Sequence, residues 1–140
     1  MGLKLIKNNK SHWPFILYLR THPKNLDGFV DHNPINYRNH ICYMTERGDC
    51  YMICISNGIP VGYIGDTAND IRLAIHPDFQ GEGIGTFMLQ KYISLENRKY
   101  FAKVLELNEP SNKLFMRCGF RVRHYKNGLI YYEKDTTQPL

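Results

Sequence analysis

Long apolar runs are missing from this sequence. None approaches the roughly 20 residues that a membrane-spanning helix needs, and the opening stretch MGLKLIKNNK lacks the apolar core of a secretory signal. We therefore expect a cytoplasmic protein with no membrane association. A chain of 140 residues with 43% hydrophobic and 13% aromatic residues is not typical of disorder. We expect one compact domain over residues 1–140, present as a monomer or a homodimer.

Signatures of metal sites and disulfides are missing too. The four cysteines form no CxxC pair and have no histidine at the spacing of a metal ligand. We expect reduced thiols at these positions, which are Cys42, Cys50, Cys54 and Cys118. His22, His32 and His40 lie eight to ten residues apart with no i, i+4 pair, so helix-end or surface positions explain them and no metal is predicted.

The chain also lacks any block of like charge. Its formal net charge of +5 could attract nucleic acid, acidic lipid headgroups or a phosphorylated ligand, and the charge alone does not choose among them. Because the basic residues are scattered, a solvated surface explains them, and a nucleic-acid partner is not favoured.

The first half of the chain predicts a strand, two helices and a hairpin. LKLIK alternates as a short strand does, and a helix can begin at Ser11 or His12 and run through WPFILYLR. A second helix fits Ile35 to Glu46, with Asn33 as N-cap and Pro34 at the first helical position. In CYMICISNGIPVGYIG, two β-rich runs flank an Asn-Gly pair of the kind favoured in type I′ turns.

The second half predicts strands on either side of two helices. DIRLAI forms a strand that ends before Pro77, and Gly83 to Glu96 carries one apolar face at helical spacing. FAKVLEL predicts another strand, Ser111 can cap a short helix that Gly119 terminates, and FRVRHY and LIYYEK form a closing hairpin. The element order is β-α-α-β-β-β-α-β-α-β-β in a single mixed sheet.

A glycine-rich turn joins DIRLAI to the following helix. The stretch IHPDFQGEGIGTFMLQ carries three glycines within five positions, and the helix that follows leaves amide groups unpaired at the positive end of its dipole. Glycine lets ligand oxygens approach the backbone, so this turn predicts a phosphate or pyrophosphate site. A Walker loop would need a lysine before Thr86, and the dinucleotide fingerprint G-x-G-x-x-G has a different spacing, so both are excluded.

The pattern that fits is Q-x-x-G-x-G, formed by Gln80, Gly83 and Gly85 after LAIHPDF. It resembles the acetyl-CoA loop of the GNAT N-acetyltransferase superfamily, and NEPSNKLFMRCGF resembles that family's second signature. The resemblance covers Asp70 to Phe120. It implies an α/β (α+β) fold with a single mixed, mostly antiparallel sheet of about seven strands, flanked by about four helices. A V-shaped splay between the fourth and fifth strands is part of that fold.

The resemblance also implies acetyl-CoA as co-substrate and a set of residues that bind it. The pyrophosphate would lie on the amides of the glycine loop, and the pantetheine arm would pair with the edge of the strand before it. The implied cofactor-binding residues are Leu73, Ala74, Ile75, Gln80, Gly81, Glu82, Gly83, Ile84, Gly85, Thr86, Asn108, Asn112 and Phe115.

The implied reaction is attack of a neutral amine on the thioester, in a ternary complex without a covalent enzyme intermediate. Many family members have a tyrosine that protonates the leaving sulfur, whereas this chain has Phe115 at the matching position, so water, a neighbouring tyrosine or Cys118 is left for that role. Candidates for the base are Glu106, if strand alternation turns it toward the cleft, Asp70 and His76, with a water chain as the alternative.

The acceptor is the least determined part of this expectation. Leu19-Arg20 through Ile35 and His40 weakly resembles GNAT enzymes that acetylate the amino group of a nucleotide-linked sugar, which favours a small phosphate-bearing primary amine. A protein lysine or an amine on a modified nucleic-acid base is the alternative acceptor. Two other classes stay open, namely a non-catalytic acyl-CoA-binding sensor and a nucleic-acid-binding module whose glycine loop contacts backbone phosphate.

Overall fold

The computed structural model describes residues 2–26 and 35–137. The described chain contains seven strands, which are β1 (Leu3–Lys7), β2 (Tyr51–Ser56), β3 (Ile59–Thr67), β4 (Asp70–Ile75), β5 (Lys99–Leu105), β6 (Arg121–Lys126) and β7 (Leu129–Asp135). Its helices are α1 (Trp13–Thr21), α2 (Pro23–Leu26), α3 (Tyr37–Arg47), α4 (Ile84–Ser94) and α5 (Glu109–Arg117).

Tight turns with left-handed backbone join the antiparallel strands. Asn57 and Gly58 have φ of 51° and 82° between β2 and β3, and Asn127 and Gly128 have φ of 52° and 77° between β6 and β7. Positive φ at both central residues is the requirement of a type I′ turn, so both predicted hairpins are confirmed. Ala68-Asn69 also has positive φ, at 51° and 56°, between β3 and β4.

Several predicted boundaries shift in the structure. Helix α3 begins at Tyr37 rather than Ile35, because the Asn36 side chain accepts the Asn39 amide at 2.8 Å and caps it. The proposed cap Asn33 lies outside the described residues, with Pro34 and His32. The short helix α2 was not predicted at all.

Strand β5 covers residues 99–105, two residues earlier than FAKVLEL. It ends because the chain turns at once: the Asn108 amide donates to the Leu105 carbonyl at 2.9 Å. Asn108 rather than Ser111 then caps α5, with its side chain accepting the Ser111 amide at 3.3 Å. Gly119, with φ of 89°, terminates that helix as predicted.

The seven strands form two hydrogen-bonded sheets rather than the single one predicted. One has the order β1-β2-β3-β4 and the other β5-β7-β6, and every pairing within them is antiparallel. Strands β4 and β5 are neighbours without a described ladder between them. Instead, the Asp70 carboxylate at the start of β4 accepts the Lys103 amide at 2.9 Å. The predicted splay between the fourth and fifth strands is therefore confirmed, and it explains the division of the sheet.

Two hydrophobic cores lie on opposite faces of the first sheet. Helix α4 packs on one face with Ile64 and Met88, and α5 and Tyr132 of the second sheet belong to the same core. Helices α1 and α3 pack on the other with Leu19, Met44 and further buried side chains. None of the helices in residues 2–26 and 35–137 is long and apolar enough to cross a membrane. The cysteines are unpaired.

Candidate active site

A cleft of about 810 Å³ opens where β4 and β5 separate. Asp70 bridges the strands at one end, and the cleft is lined by the last residues of β4 and by residues at and just after the end of β5, so both strands run toward it in the same direction. The start of α4 and one side of α5 complete the walls. The lining residues are Lys24, Asn25, Leu73, Ala74, Ile75, Gln80, Gly81, Gly83, Ile84, Gly85, Thr86, Leu105, Leu107, Asn108, Pro110, Ser111, Leu114 and Arg117.

The glycine loop presents bare backbone to this cleft. Gly81 and Gly83 both have φ of 81°, and a Cβ added at either would meet no atom within 4 Å. The Phe87 amide donates to the Gly83 carbonyl at 3.1 Å and closes the first turn of α4. The amides of Ile84, Gly85 and Thr86 therefore have no partner within the helix, and they lie at the positive end of its dipole. Such an arrangement suits an anion.

The third glycine of the loop has a different role. A Cβ at Gly85 would lie 3.2 Å from Ile75 Cδ1 and 3.4 Å from Leu114 Cδ2. Its backbone is helical, so the position needs glycine for close packing of α4 against β4 and α5 rather than for a special φ.

Two cations at the cleft were missed by the sequence analysis. Arg117, in the last turn of α5, donates to Thr86 Oγ1 at 3.1 Å, so its guanidinium lies beside the start of α4. Lys24 of α2 also lines the cleft. The predicted Gln80 also lines the cleft, where its Nε2 donates to Asn25 Oδ1 at 3.0 Å and ties the loop to α2. Glu82 is exposed and is not among the described residues that line the cleft.

The edge of β4 that faces β5 is open for pairing. On the other edge, β4 pairs with β3, and the His76 amide just beyond its end donates to the Val61 carbonyl at 2.8 Å. Backbone groups alternate between the two edges of an antiparallel strand. The amides of Leu73 and Ile75 therefore point toward the cleft.

The two asparagines of the second signature bind backbone. Asn108 caps α5 and lines the cleft. Asn112 donates to the Leu105 carbonyl at 3.1 Å and to the Asn108 carbonyl at 2.9 Å, and it accepts the Tyr132 hydroxyl. These bonds use the Asn112 amide to fix the end of β5, which leaves its predicted contact with the cofactor without support from the geometry.

Phe115 is buried beside the cleft rather than in its described lining. Its ring stacks on Tyr132 at 5.7 Å between centroids and packs edge-on against Phe120 at 5.1 Å. A phenyl ring cannot donate a proton, and the Tyr132 hydroxyl behind it is taken by Asn112. Burial raises the pKa of the Cys118 thiol, which makes it a packing residue rather than a ready acid.

None of the three candidate bases is among the described residues that line the cleft. The placement of Glu106 in a strand was wrong, because β5 ends at Leu105, and the Glu106 side chain is exposed. Asp70 is buried at the closed end of the splay, where it accepts the Lys103 amide and lies 3.6 Å from Arg72 Nε. Burial raises the pKa of Asp70, against the opposing effect of these donors. Its position is that of a bridge between the two sheets.

His76 follows the end of β4 and belongs to the loop. Its Nδ1 accepts the Asp78 amide at 3.1 Å, and its ring stacks on Tyr18 at 5.4 Å between centroids. No aspartate, glutamate or histidine is among the cleft-lining residues that the structure describes. The roles of all three candidates as bases stay predictions without a geometric argument.

Five side chains on the α1/α3 face of the first sheet form what we call the arginine–tyrosine cluster, namely Arg20, Tyr43, Tyr51, Tyr63 and Arg72. The guanidinium carbon of Arg20 lies 4.6 Å from the centre of the Tyr43 ring, and Arg72 donates to the Tyr43 hydroxyl at 3.4 Å. The Tyr43 and Tyr51 hydroxyls are 2.6 Å apart. Burial raises the pKa of Tyr63, against the opposing effect of both arginines.

His40 contacts this cluster through Arg20. It is fully buried, which corrects the expectation of a helix-end or surface histidine. Its Nε2 lies 2.8 Å from the Trp13 carbonyl, which can only accept, so Nε2 carries the proton and Nδ1 accepts from Arg20 at 3.0 Å. Burial lowers the pKa of His40, and Arg20 lowers it further against the Trp13 bond. Among the described residues, no group of side chains could hold a metal ion.

The model of the acetyltransferase (GNAT) domain matches residues 46–122, more than half of the chain and all of the glycine loop. The chain belongs to the GNAT acetyltransferase family. An uncharacterized N-acetyltransferase from Methanocaldococcus jannaschii is 27% identical over 104 residues. That match covers 62% of this chain and 46% of the archaeal protein, so the GNAT chain described here spans less than half of its relative's length.

Solved structures with the same fold cover almost the whole chain. A spermidine N-acetyltransferase from Vibrio cholerae, in complex with CoA and spermine, has a TM-score of 0.80 and 12% identity, covering 96% of this chain and 95% of its own. A phosphinothricin acetyltransferase from Sinorhizobium meliloti, in complex with AcCoA, has a TM-score of 0.75 and 16% identity, covering 98% of this chain and 90% of its own. These likenesses establish the GNAT fold.

Proposed function

We propose that this GNAT chain is an acetyl-CoA-dependent N-acetyltransferase that acts on a primary amine by direct transfer in a ternary complex. The observation that carries the proposal is the open splay between β4 and β5, which leads from an unpaired strand edge to the bare amides of the glycine loop. A diphosphate and a long amide-bearing arm, as in coenzyme A, match the two ends of that cleft.

The pyrophosphate would bind at the start of α4. The amides of Ile84, Gly85 and Thr86 point outward there. The absence of a side chain at Gly83 leaves room for phosphate oxygens, and Arg117 adds a cation. Hydrogen bonds to charged groups contribute about 1.5–3 kcal/mol each, so a few of them suffice to anchor the cofactor.

The pantetheine arm would extend along β4. Its amides can pair with the backbone of Leu73 and Ile75 as a further strand would. Its methylene and methyl groups would contact Leu105 and Leu107, and Leu107 is a 95% exposed apolar side chain at this wall of the cleft. Covering such a side chain removes apolar surface from water, which favours binding.

In the transfer step the amine nitrogen forms a bond to the thioester carbonyl carbon and the carbon–sulfur bond breaks. The amine gives up a proton and the departing thiolate takes one. Because the described cleft lining offers no carboxylate, imidazole or phenol, we propose that water carries both protons. An amide of β4 that faces the cleft can stabilise the oxyanion.

The acceptor in this proposal is a small phosphate-bearing amine such as a nucleotide-linked amino sugar. A protein lysine or an amine on a modified nucleic-acid base is the alternative. Phe115 stands at the position where the family resemblance implies a tyrosine, and this favours a second candidate function, a sensor that binds acyl-CoA without catalysis.

Two measurements test the proposal. Acetyl-CoA should raise the melting temperature, because a ligand that binds only the folded state stabilises it, while free nucleotide and duplex DNA should raise it less. Release of free thiol with an amine panel, together with a product heavier by one acetyl group, should separate an enzyme from a sensor. Stabilisation without thiol release would favour the sensor, and no stabilisation would refute both.

A further inference from the structure

The arginine–tyrosine cluster brings two guanidinium groups to one phenol. Arg20 lies over the Tyr43 ring, and Arg72 contacts the hydroxyl of the same residue. The other two tyrosines of the cluster are buried, since Tyr51 and Tyr63 are each only 3% exposed. Like charges repel each other. Two guanidinium groups that contact the same side chain are therefore stabilised when an anion lies between or beside them.

Cations outnumber carboxylates around this cluster. Arg72 Nε lies 3.6 Å from the Asp70 carboxylate, and Arg20 lies over the ring of Tyr43, whose hydroxyl Arg72 also contacts. Among the ion pairs of the described residues, these two arginines have one carboxylate partner, Asp70, which already accepts the Lys103 amide and lies 3.6 Å from Arg72. In residues 2–26 and 35–137, no carboxylate forms an ion pair with Arg20.

The cluster adjoins the cleft. Along β4, alternate side chains share a face, so Arg72 and Ala74 lie on the same side of the sheet. Ala74 packs in the core with Tyr51 and Tyr63, and it also lines the cleft beside Leu73. A molecule that binds at Arg72 is thus a neighbour of whatever occupies the cleft along β4.

We propose that the arginine–tyrosine cluster binds an anionic group, a phosphate or a carboxylate, on the amine acceptor, with Arg72 as the direct contact and Arg20 as the second cation. This inference rests on the proposed function, whose reaction supplies the need for an acceptor, and it names the residues that select that acceptor. The site lies on the α1/α3 face of the sheet, apart from the glycine loop that binds the pyrophosphate.

Arg72 is suited to the direct contact. Its side chain is 41% exposed, and its contacts with the Tyr43 hydroxyl at 3.4 Å and with the Asp70 carboxylate at 3.6 Å are long. A guanidinium carries five donor hydrogens in a planar fork, so several remain to bind a phosphate or carboxylate bidentately. Arg20 is held more firmly, between the Tyr43 ring and the neutral His40, so it contributes a fixed positive charge.

Paired acceptors test the inference. With acetyl-CoA saturating, kcat/KM is measured for glucosamine 6-phosphate against glucosamine and for β-alanine against propylamine, which separates phosphate from carboxylate recognition. The wild type should prefer the anionic member of at least one pair by tenfold or more. Arg72→Gln should reduce that ratio to within about threefold of one, and Arg72→Lys, which keeps a point charge but loses the fork, should fall between. Arg121→Gln, with the same charge change at an exposed position on β6, should keep the wild-type ratio.

A binding measurement separates failure of this inference from failure of the proposed function. If acetyl-CoA binds but no amine is acetylated, titration of glucosamine 6-phosphate and of β-alanine into the coenzyme A complex by calorimetry still tests the site. The proposed anion site is supported if Arg72→Gln abolishes this binding and Arg121→Gln retains it. The inference is overturned if the wild type has the same kcat/KM for the anionic and the neutral amine of both pairs, or if its preference for the anionic amine survives Arg72→Gln. It is also overturned if neither anionic amine binds in the calorimetric test.

Discussion

Gly83 and Gly58 form a matched pair for testing the glycine loop. Both have left-handed φ, 81° and 82°, and an added Cβ would meet nothing within 4 Å at either position. Gly83 caps α4 at the cleft, whereas Gly58 lies in the turn between β2 and β3. Alanine at either position should therefore impose the same backbone strain, and only at Gly83 should its methyl group enter the space that the pyrophosphate needs.

The magnitudes follow from the backbone and from the lost contacts. A non-glycine residue in the left-handed region costs about 1–2 kcal/mol, and for a chain of this size each kcal/mol lowers the melting temperature by about 2–4 °C. Both Gly83→Ala and Gly58→Ala should therefore melt a few degrees below the wild type. Loss of one or two charged hydrogen bonds, at about 1.5–3 kcal/mol each, should weaken acetyl-CoA binding to Gly83→Ala by about 10-fold or more.

Calorimetric titration of acetyl-CoA into the three proteins, at a temperature where all are folded, measures this difference. Gly58→Ala should bind as the wild type does. The reasoning about the loop fails if Gly83→Ala binds acetyl-CoA with wild-type affinity while both variants lose similar stability, because the methyl group would then occupy space that the ligand does not use.

Three further substitutions test other parts of the account. Asp70→Ala should lower the free energy of unfolding by about 1–3 kcal/mol in urea denaturation, because the Lys103 amide loses its acceptor. Asp70→Asn keeps that oxygen and should lower the free energy of unfolding by less, and equal losses for the two variants would argue against the bridge. Below the unfolded-state pKa of about 6.5, unfolded His40 gains a proton that the buried ring resists, so wild-type stability should fall from pH 7 to pH 5.5. His40→Gln should flatten that fall, and identical pH profiles would contradict the neutral tautomer. Arg117→Gln should weaken acetyl-CoA binding by about 10- to 100-fold in the same titration, with the fold retained, and an unchanged affinity would remove Arg117 from the pyrophosphate site.

Features determined by local chemistry could be predicted from the sequence. The two Asn-Gly turns, the helix that starts at the glycine loop and the strand before Pro77 each depend on backbone preferences within a few residues. The splay of β4 and β5 was predicted by family resemblance rather than by any local pattern. Gly81 and Gly85 look alike in the sequence, and only the structure separates a left-handed turn glycine from a packing glycine.

Features that depend on distant contacts could not be predicted. Alternation predicts Glu106 in a strand, but the bond from the Asn108 amide to the Leu105 carbonyl turns the chain, and β5 ends at Leu105, just before Glu106. Arg117 reaches the cleft because α5 packs beside the start of α4, and it stands 31 residues from Thr86 in the sequence. The burial of His40 depends on α1, whose Trp13 carbonyl is 27 residues away.

Amide-resolved hydrogen exchange, with and without saturating acetyl-CoA, tests the central claim most directly. If the diphosphate binds at the start of α4 and the arm pairs with β4, the amides of Ile84, Gly85 and Thr86, and those of Leu73 and Ile75, should slow together when the ligand is added. Unchanged exchange at both groups of amides under saturating acetyl-CoA would contradict the account.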